Sequence, residues 1–125
     1  MYYKVVFNDE GRLLSVSPSC WWGRLRQAFE VVYKLNEWVY PKFENSKLFV
    51  FPSLAAAKEF VSRTERNHLH IYECEVENPE KETSYFVPYL DGIEDLANGY
   101  DVQYAPCPYT DTVFADGVKL IRKVY

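Results

Sequence analysis

The chain holds too few histidines and cysteines for most metal centres. Its two histidines are His68 and His70, and its three cysteines are Cys20, Cys74 and Cys107. The cysteines are odd in number and show no CxxC spacing, which argues against a zinc site and against a disulfide framework. Reduced, cytoplasmic thiols are the expectation. A basic excess is also missing: the formal net charge is −4, which argues against a general nucleic-acid binder. No apolar run reaches the roughly 18 residues of a membrane span. The opening "MYYKVVFNDE" lacks the regions of a signal peptide. There is no GxGxxG, no GxxxxGK[ST] and no GxSxG, so the common phosphate-binding and nucleophile-elbow motifs are excluded. No repeat, low-complexity tract or linker divides the chain.

What is there is aromatic. Of 125 residues, 18% are aromatic, with 11 Tyr, 8 Phe and 3 Trp, while 48% are hydrophobic and 26% charged. The last two values are those of an ordinary globular domain. The first implies a thin, sheet-based core built from rings, with tyrosines half in and half out of it.

The periodicity predicts strands at Tyr2–Phe7 and Arg12–Ser17 around an Asn8–Gly11 turn. Arg24 to Tyr40 fits both periods. A short helical start near Arg24–Ala28 should give way to a strand by Val31, with Asn36-Glu37 as a turn and Trp38–Tyr40 returning. Lys47–Phe51 reads as a strand buried on both faces, stopped by Pro52. Ser53 then caps a helix over about Leu54–Thr64, with Leu54, Ala57 and Val61 on one face and Phe60 beside them. His68–Glu77 is a strand that turns Cys74 and Val76 to one side and Glu73, Glu75 and Glu77 to the other. Tyr85–Leu90 is extended, Asp91–Asn98 forms one or two helical turns, Ala105–Thr112 is a loop, and Val118–Tyr125 is the last strand. The sum is a single α+β domain over residues 1–125, a twisted and mainly antiparallel sheet packed against one main helix.

Few constellations could carry chemistry. His68 and His70 share a strand face, but no third ligand is evident, so no metal is expected. Asp91, Glu94 and Asp95 lack the order of a calcium loop. The three glutamates of the His68–Glu77 strand could supply a general base or hold a ribose hydroxyl. They also read simply as a solvated face that resists edge pairing. Cys20 precedes Trp21 and Trp22, with Arg24 following. A surface tryptophan beside an arginine is the composition of a binding hot spot. Trp21, Trp22 and Arg24 are therefore the candidate partner-binding residues.

Two resemblances extend this reading. The segments "YYKVV", "VVYKLNEWVYP", "LFVFPSLAAAKEF", "IYECEV" and "TVFADGVKLIRKV" resemble, in order and spacing, a group of small proteins of phages and archaeal viruses. That group implies no established activity. It implies a host-cell cytoplasmic setting and a host or viral protein partner. The succession of an "FVF" strand, a capped helix and a "YECEV" strand is similar to the ADP-ribosyltransferase-like fold. That resemblance implies a site for NAD or a related nucleotide. Lys4 stands where the family places His or Arg, Ser53 matches the strand-to-helix corner, and Glu73, Glu75 or Glu94 would complete it. With Lys4 at that position, a degenerate pocket is expected in preference to a transferase. The leading expectation is a non-enzymatic protein-binding module without a resident cofactor. An aromatic sheet edge leaves room for a homodimer.

Overall fold

Glu10 and Gly11 adopt positive φ, 50° and 91°, and turn the chain between β1 (Tyr2–Asp9) and β2 (Arg12–Ser15). The two strands pair antiparallel from Val6↔Ser15 to Asp9↔Arg12, and Asn8 Oδ1 accepts the Gly11 N–H at 2.9 Å. This is the hairpin that the sequence predicts. The computed structural model describes residues 1–16, 31–42, 47–64, 67–81, 84–86, 104–106 and 112–125, with the backbone alone at 84–86 and 104–106. The expected helical turns at Arg24–Ala28 and Asp91–Asn98 lie outside the described residues.

Two short strands follow, β3 (Val32–Tyr33) and β4 (Trp38–Val39), joined by a turn in which Asn36 has φ 62°. They do not pair with each other. β3 pairs with β2, and β4 pairs with β10 (Gly117–Lys123). With β6 (Leu69–Glu77) they make a six-stranded sheet in the order β3-β2-β1-β6-β10-β4. The strands at its two edges are thus joined by four residues. Six flat strands would set those edges about 24 Å apart, at about 4.8 Å per interval. Five residue steps reach about 18 Å at most. The sheet must therefore curl until its edges approach, and the Asn36 N–H donates to the Leu120 carbonyl of β10 at 2.8 Å.

A second ring of backbone bonds closes the other end. β5 (Leu48–Val50) pairs with β9 (Val113–Ala115), and β9 runs through Asp116 into β10. Phe51, just past β5, exchanges both backbone bonds with Tyr3 of β1, at 2.9 and 2.8 Å. A closed circuit therefore runs from β1 across hydrogen-bonded pairs to β6 and β10, along the chain into β9, and across further pairs through β5 back to β1. β9 lies between the expected loop, which ends at Thr112, and the expected last strand, which starts at Val118, where the sequence shows no element. β8 (Tyr104–Pro106), paired with β7 (Ser84–Phe86), overlaps the first two residues of that expected loop. Pro106 is tolerated because it lies at the end of its ladder, where a missing N–H does least harm.

The curl makes two cores, one on each face of the sheet. Inside lie Val6, Tyr33, Leu48, Val50, Cys74, Val118 and Leu120 with their neighbours. Outside, α1 (Leu54–Arg63) lays Ala56, Ala57 and Phe60 over Val5, Ile71, Phe49 and Phe51. Ser53 Oγ accepts the Ala56 N–H at 3.1 Å, the cap that the sequence predicts. The small alanines let Phe60 reach Phe51 and Phe49, with ring centroids 5.2 and 5.8 Å apart. The chain is an α+β domain with one helix among the described residues and a mainly antiparallel sheet. No helix among the described residues is long and apolar enough to cross a membrane.

Candidate functional site

Strand alternation sorts the chemically able side chains onto two surfaces. Glu73, Glu75 and Glu77 of β6 face outward, and each meets a partner on the next strands. Tyr40 donates its hydroxyl to Glu77 Oε1 at 2.9 Å, across Gly117. A Cβ on Gly117 would stand 2.7 Å from the Tyr40 ring, so the glycine lets the ring lie on the β10 backbone. One row along, Lys119 bridges Glu75 Oε2 at 3.1 Å, and its Nζ lies 5.4 Å from the centre of the Trp38 ring. One row further, Arg122 holds Glu73 with two bonds, 2.6 and 3.0 Å. That last row depends on an irregularity. The β10–β6 register shifts between Leu120 and Arg122, so Ile121 is passed over. In a regular strand Ile121 would stand opposite Glu73, and Arg122 would point into the interior. The Arg122 guanidinium holds the Glu73 carboxyl below its usual range, and Glu77 pushes the Tyr40 phenol up.

Beside these rows lies an open cleft of about 490 Å³, lined by Met1, Tyr2, Trp38, Cys74, Glu75, Val76 and Pro79. Leu35, Trp38 and Tyr40 remain 49%, 37% and 50% exposed on the arm that carries β4. The outer surface thus combines large apolar side chains with rows of carboxylates held by a phenol, a lysine and an arginine.

The interior is the second surface. Lys4 is only 1% exposed. The Phe49 amide and carbonyl point away from β9, because Phe114, their counterpart, bonds Glu80. Two residues on, the Phe51 carbonyl and amide go to Tyr3. The Phe49 carbonyl has no β1 partner and takes Lys4 Nζ, at 2.7 Å. The Phe49 and Tyr33 ring centres lie 4.2 and 5.6 Å from the same nitrogen. No acidic side chain among the described residues pairs with it. Burial brings its pKa down to about 7, opposed by the nearby Cys74 sulfur. Burial pushes the Cys74 thiol up to about 12 and raises the Tyr33 phenol as well. The Tyr33 hydroxyl is buried and has no hydrogen-bond partner among the described residues. The neighbouring Ser15 hydroxyl opposes the rise at Tyr33, while it also donates to the Val31 carbonyl at 3.3 Å and accepts the Val31 N–H at 3.0 Å.

The residues expected at a nucleotide pocket are placed apart. Lys4 is inside, whereas Tyr3 and its partner Glu73 face outward, as does Glu75. Ser53 is at the surface and bonds its own helix. Glu94 lies outside the described residues, as do Trp21, Trp22 and Arg24. Among the described residues no group of three or more His, Cys, Asp and Glu is placed to hold a metal ion. Tyr33, Trp38, Tyr40, Lys119 and Arg122 were not singled out from the sequence. Alternation gave the outward glutamates, but their partners depend on which strands become neighbours. No protein-family model matches the chain, and neither a curated protein nor a solved structure does.

Proposed function

We propose that the protein is a binding module that takes an extended, basic segment of another protein across Trp38 and along the adjoining cleft. The observation that carries this reading is Trp38, a large ring held at the mouth of an apolar cleft by its neighbour Lys119. Tyr2, Val76 and Pro79 supply further apolar wall, and aromatic-lined grooves suit extended segments. Glu77, met only by a neutral phenol among the described residues, and the net charge of −4 favour a basic partner. The resemblance to small phage and archaeal-virus proteins supports an accessory role with a host or viral protein as partner.

The test begins with selection of short peptides from a displayed random library on the immobilised protein. A basic, extended consensus is expected. The selected peptide should bind Trp38→Ala at least tenfold more weakly, with the thermal unfolding of the variant unchanged. Equal affinity for Trp38→Ala would remove this surface from consideration. A Trp21→Ala, Trp22→Ala double variant separates the other candidate: loss of affinity there alone would move the docking surface to the segment that carries Arg24.

A further inference from the structure

We propose that the cleft beside Trp38 seats one arginine side chain of the bound segment, with Glu75 taking the edge of the guanidinium and Trp38 its face. Lys119 fills that seat in the free protein and is displaced on binding. The inference rests on the reading of the cleft as a docking surface and names what that surface selects.

The first argument is geometry. Trp38 of β4 stands opposite Lys119 of β10, and Lys119 stands opposite Glu75 of β6. One cation reaches both partners. The Lys119 Nζ lies 3.1 Å from Glu75 Oε2 and 5.4 Å from the centre of the Trp38 ring. Trp38 and Glu75 both line the cleft, whereas Lys119 does not. A ring face and a carboxylate that converge on one point are the parts that recognise an organic cation. The internal ammonium shows that the point fits one.

The second argument is charge. Glu75 and Glu77 lie two residues apart on the outer face of β6, and among the described residues Lys119 is the one cation that bridges either of them. Glu77 stands opposite Gly117 and meets the neutral Tyr40 phenol. Two carboxylates therefore share one cation, and the patch has room for a second. Lys119 is a diagonal neighbour of Glu77 on the adjacent strand, within reach of a long side chain. Glu77 is thus the landing place for Lys119 once Glu75 is taken. Little resists the move, because Glu75 is 54% exposed and ion pairs so open to water hold weakly.

The third argument concerns which cation enters. A lysine of the partner would only exchange one ammonium for another, and Lys119 has the advantage of being tethered beside the seat. An arginine brings what Lys119 lacks, two parallel bonds to the carboxylate and a planar group that stacks on the indole. An internal competitor lowers the affinity of every occupant alike, so it leaves useful binding to the side chain with most to offer.

The probe is acetyl-Gly-Arg-Gly-amide, with counterparts that carry lysine or the neutral isostere citrulline, titrated into isotope-labelled protein and read by NMR at the Trp38 indole N–H. The arginine peptide should shift that signal saturably, the lysine peptide should bind roughly tenfold more weakly, and the citrulline peptide should leave it in place. Lys119→Met removes the ammonium and keeps an unbranched chain. It should tighten the arginine and lysine peptides by the same several-fold factor. The gain should vanish when Glu75→Gln is added, whereas a mere effect of net charge would persist. Equal binding of the arginine and citrulline peptides would overturn the inference and leave a Trp38-dependent docking surface standing. So would an arginine peptide held equally well by Glu75→Gln, or no gain for it in Lys119→Met. Library peptides indifferent to Trp38→Ala would remove the surface itself, and this inference with it.

Discussion

Lys4 sets the behaviour of the molecule with pH. Its pKa falls from 10.5 in the open chain to about 7 in the fold, chiefly because burial penalises the charged form. Between those values the unfolded chain binds a proton that the folded chain does not. Stability therefore rises with pH through that window and is lowest below about 7. Cys74 acts the other way, because its thiol is pushed up from 9.0 to about 12 and favours the fold less as pH passes 9. The clean interval is thus from about pH 7 to 8.5, where Lys4 alone should add about 2 kcal/mol. Urea unfolding at the two pH values measures it. Lys4→Met should abolish the rise. A wild-type protein with equal stability at both values would mean that Lys4 is solvated or paired in solution.

Among the elements, β10 carries the clearest register test. Val118 and Leu120 are fully buried, while Lys119 and Arg122 face the outer rows. Deleting Ile121 removes the residue that the ladder already passes over. Arg122 then follows Leu120 directly and stays opposite Glu73. Deleting Val118 instead puts either Lys119 or Gly117 at its buried place opposite Val76, so no register satisfies both faces. The Ile121 deletion should melt cooperatively with a modest loss, whereas the Val118 deletion should lose its cooperative transition. Equal melting curves for the two would refute the register. These elements also mark how far sequence could be read. Ser53 and Pro52 fixed the start of α1, and the Glu73-Glu75-Glu77 alternation fixed the faces of β6, because both signals are local. β9 was missed because three residues at Val113–Ala115 are too few for a period to emerge. The separation of β3 from β4 was missed because partner choice is decided by closure of the whole sheet. The candidate site inherits both limits. Its glutamates were legible, but Trp38, Lys119 and Arg122 join them only through pairings distant in sequence. Lys4 was legible as a position on a strand, though not as a buried amine, since its environment is made by Phe49 and Tyr33.

At the scale of the whole molecule, the curl of the sheet depends on what fills it. Tyr33 is among the largest fully buried side chains, and it sits beside the turn that joins the two sheet edges. Replacing it tests whether the closed interior is a packed unit. Tyr33→Ala removes a whole ring and should cost about 3–5 kcal/mol, the usual range for emptying an aromatic site. A domain of this size has roughly 5–15 kcal/mol in total, so the variant should remain measurable at low temperature. The cavity would also admit water to Lys4, restore its usual pKa and flatten the rise in stability between about pH 7 and 8.5. Tyr33→Phe removes only the hydroxyl, which has no hydrogen-bond partner among the described residues. Losing a desolvated, unsatisfied group is close to neutral, so stability should stay within about 1 kcal/mol and the pH dependence should persist. The pair separates filling from hydrogen bonding in one urea series. If Tyr33→Phe cost as much as Tyr33→Ala, the hydroxyl would have a strong partner and the interior would be held by polar bonds. If Tyr33→Ala cost little and kept its pH dependence, the ring would not seal Lys4 from water, and the two sheet edges would be joined by the backbone of the turn alone.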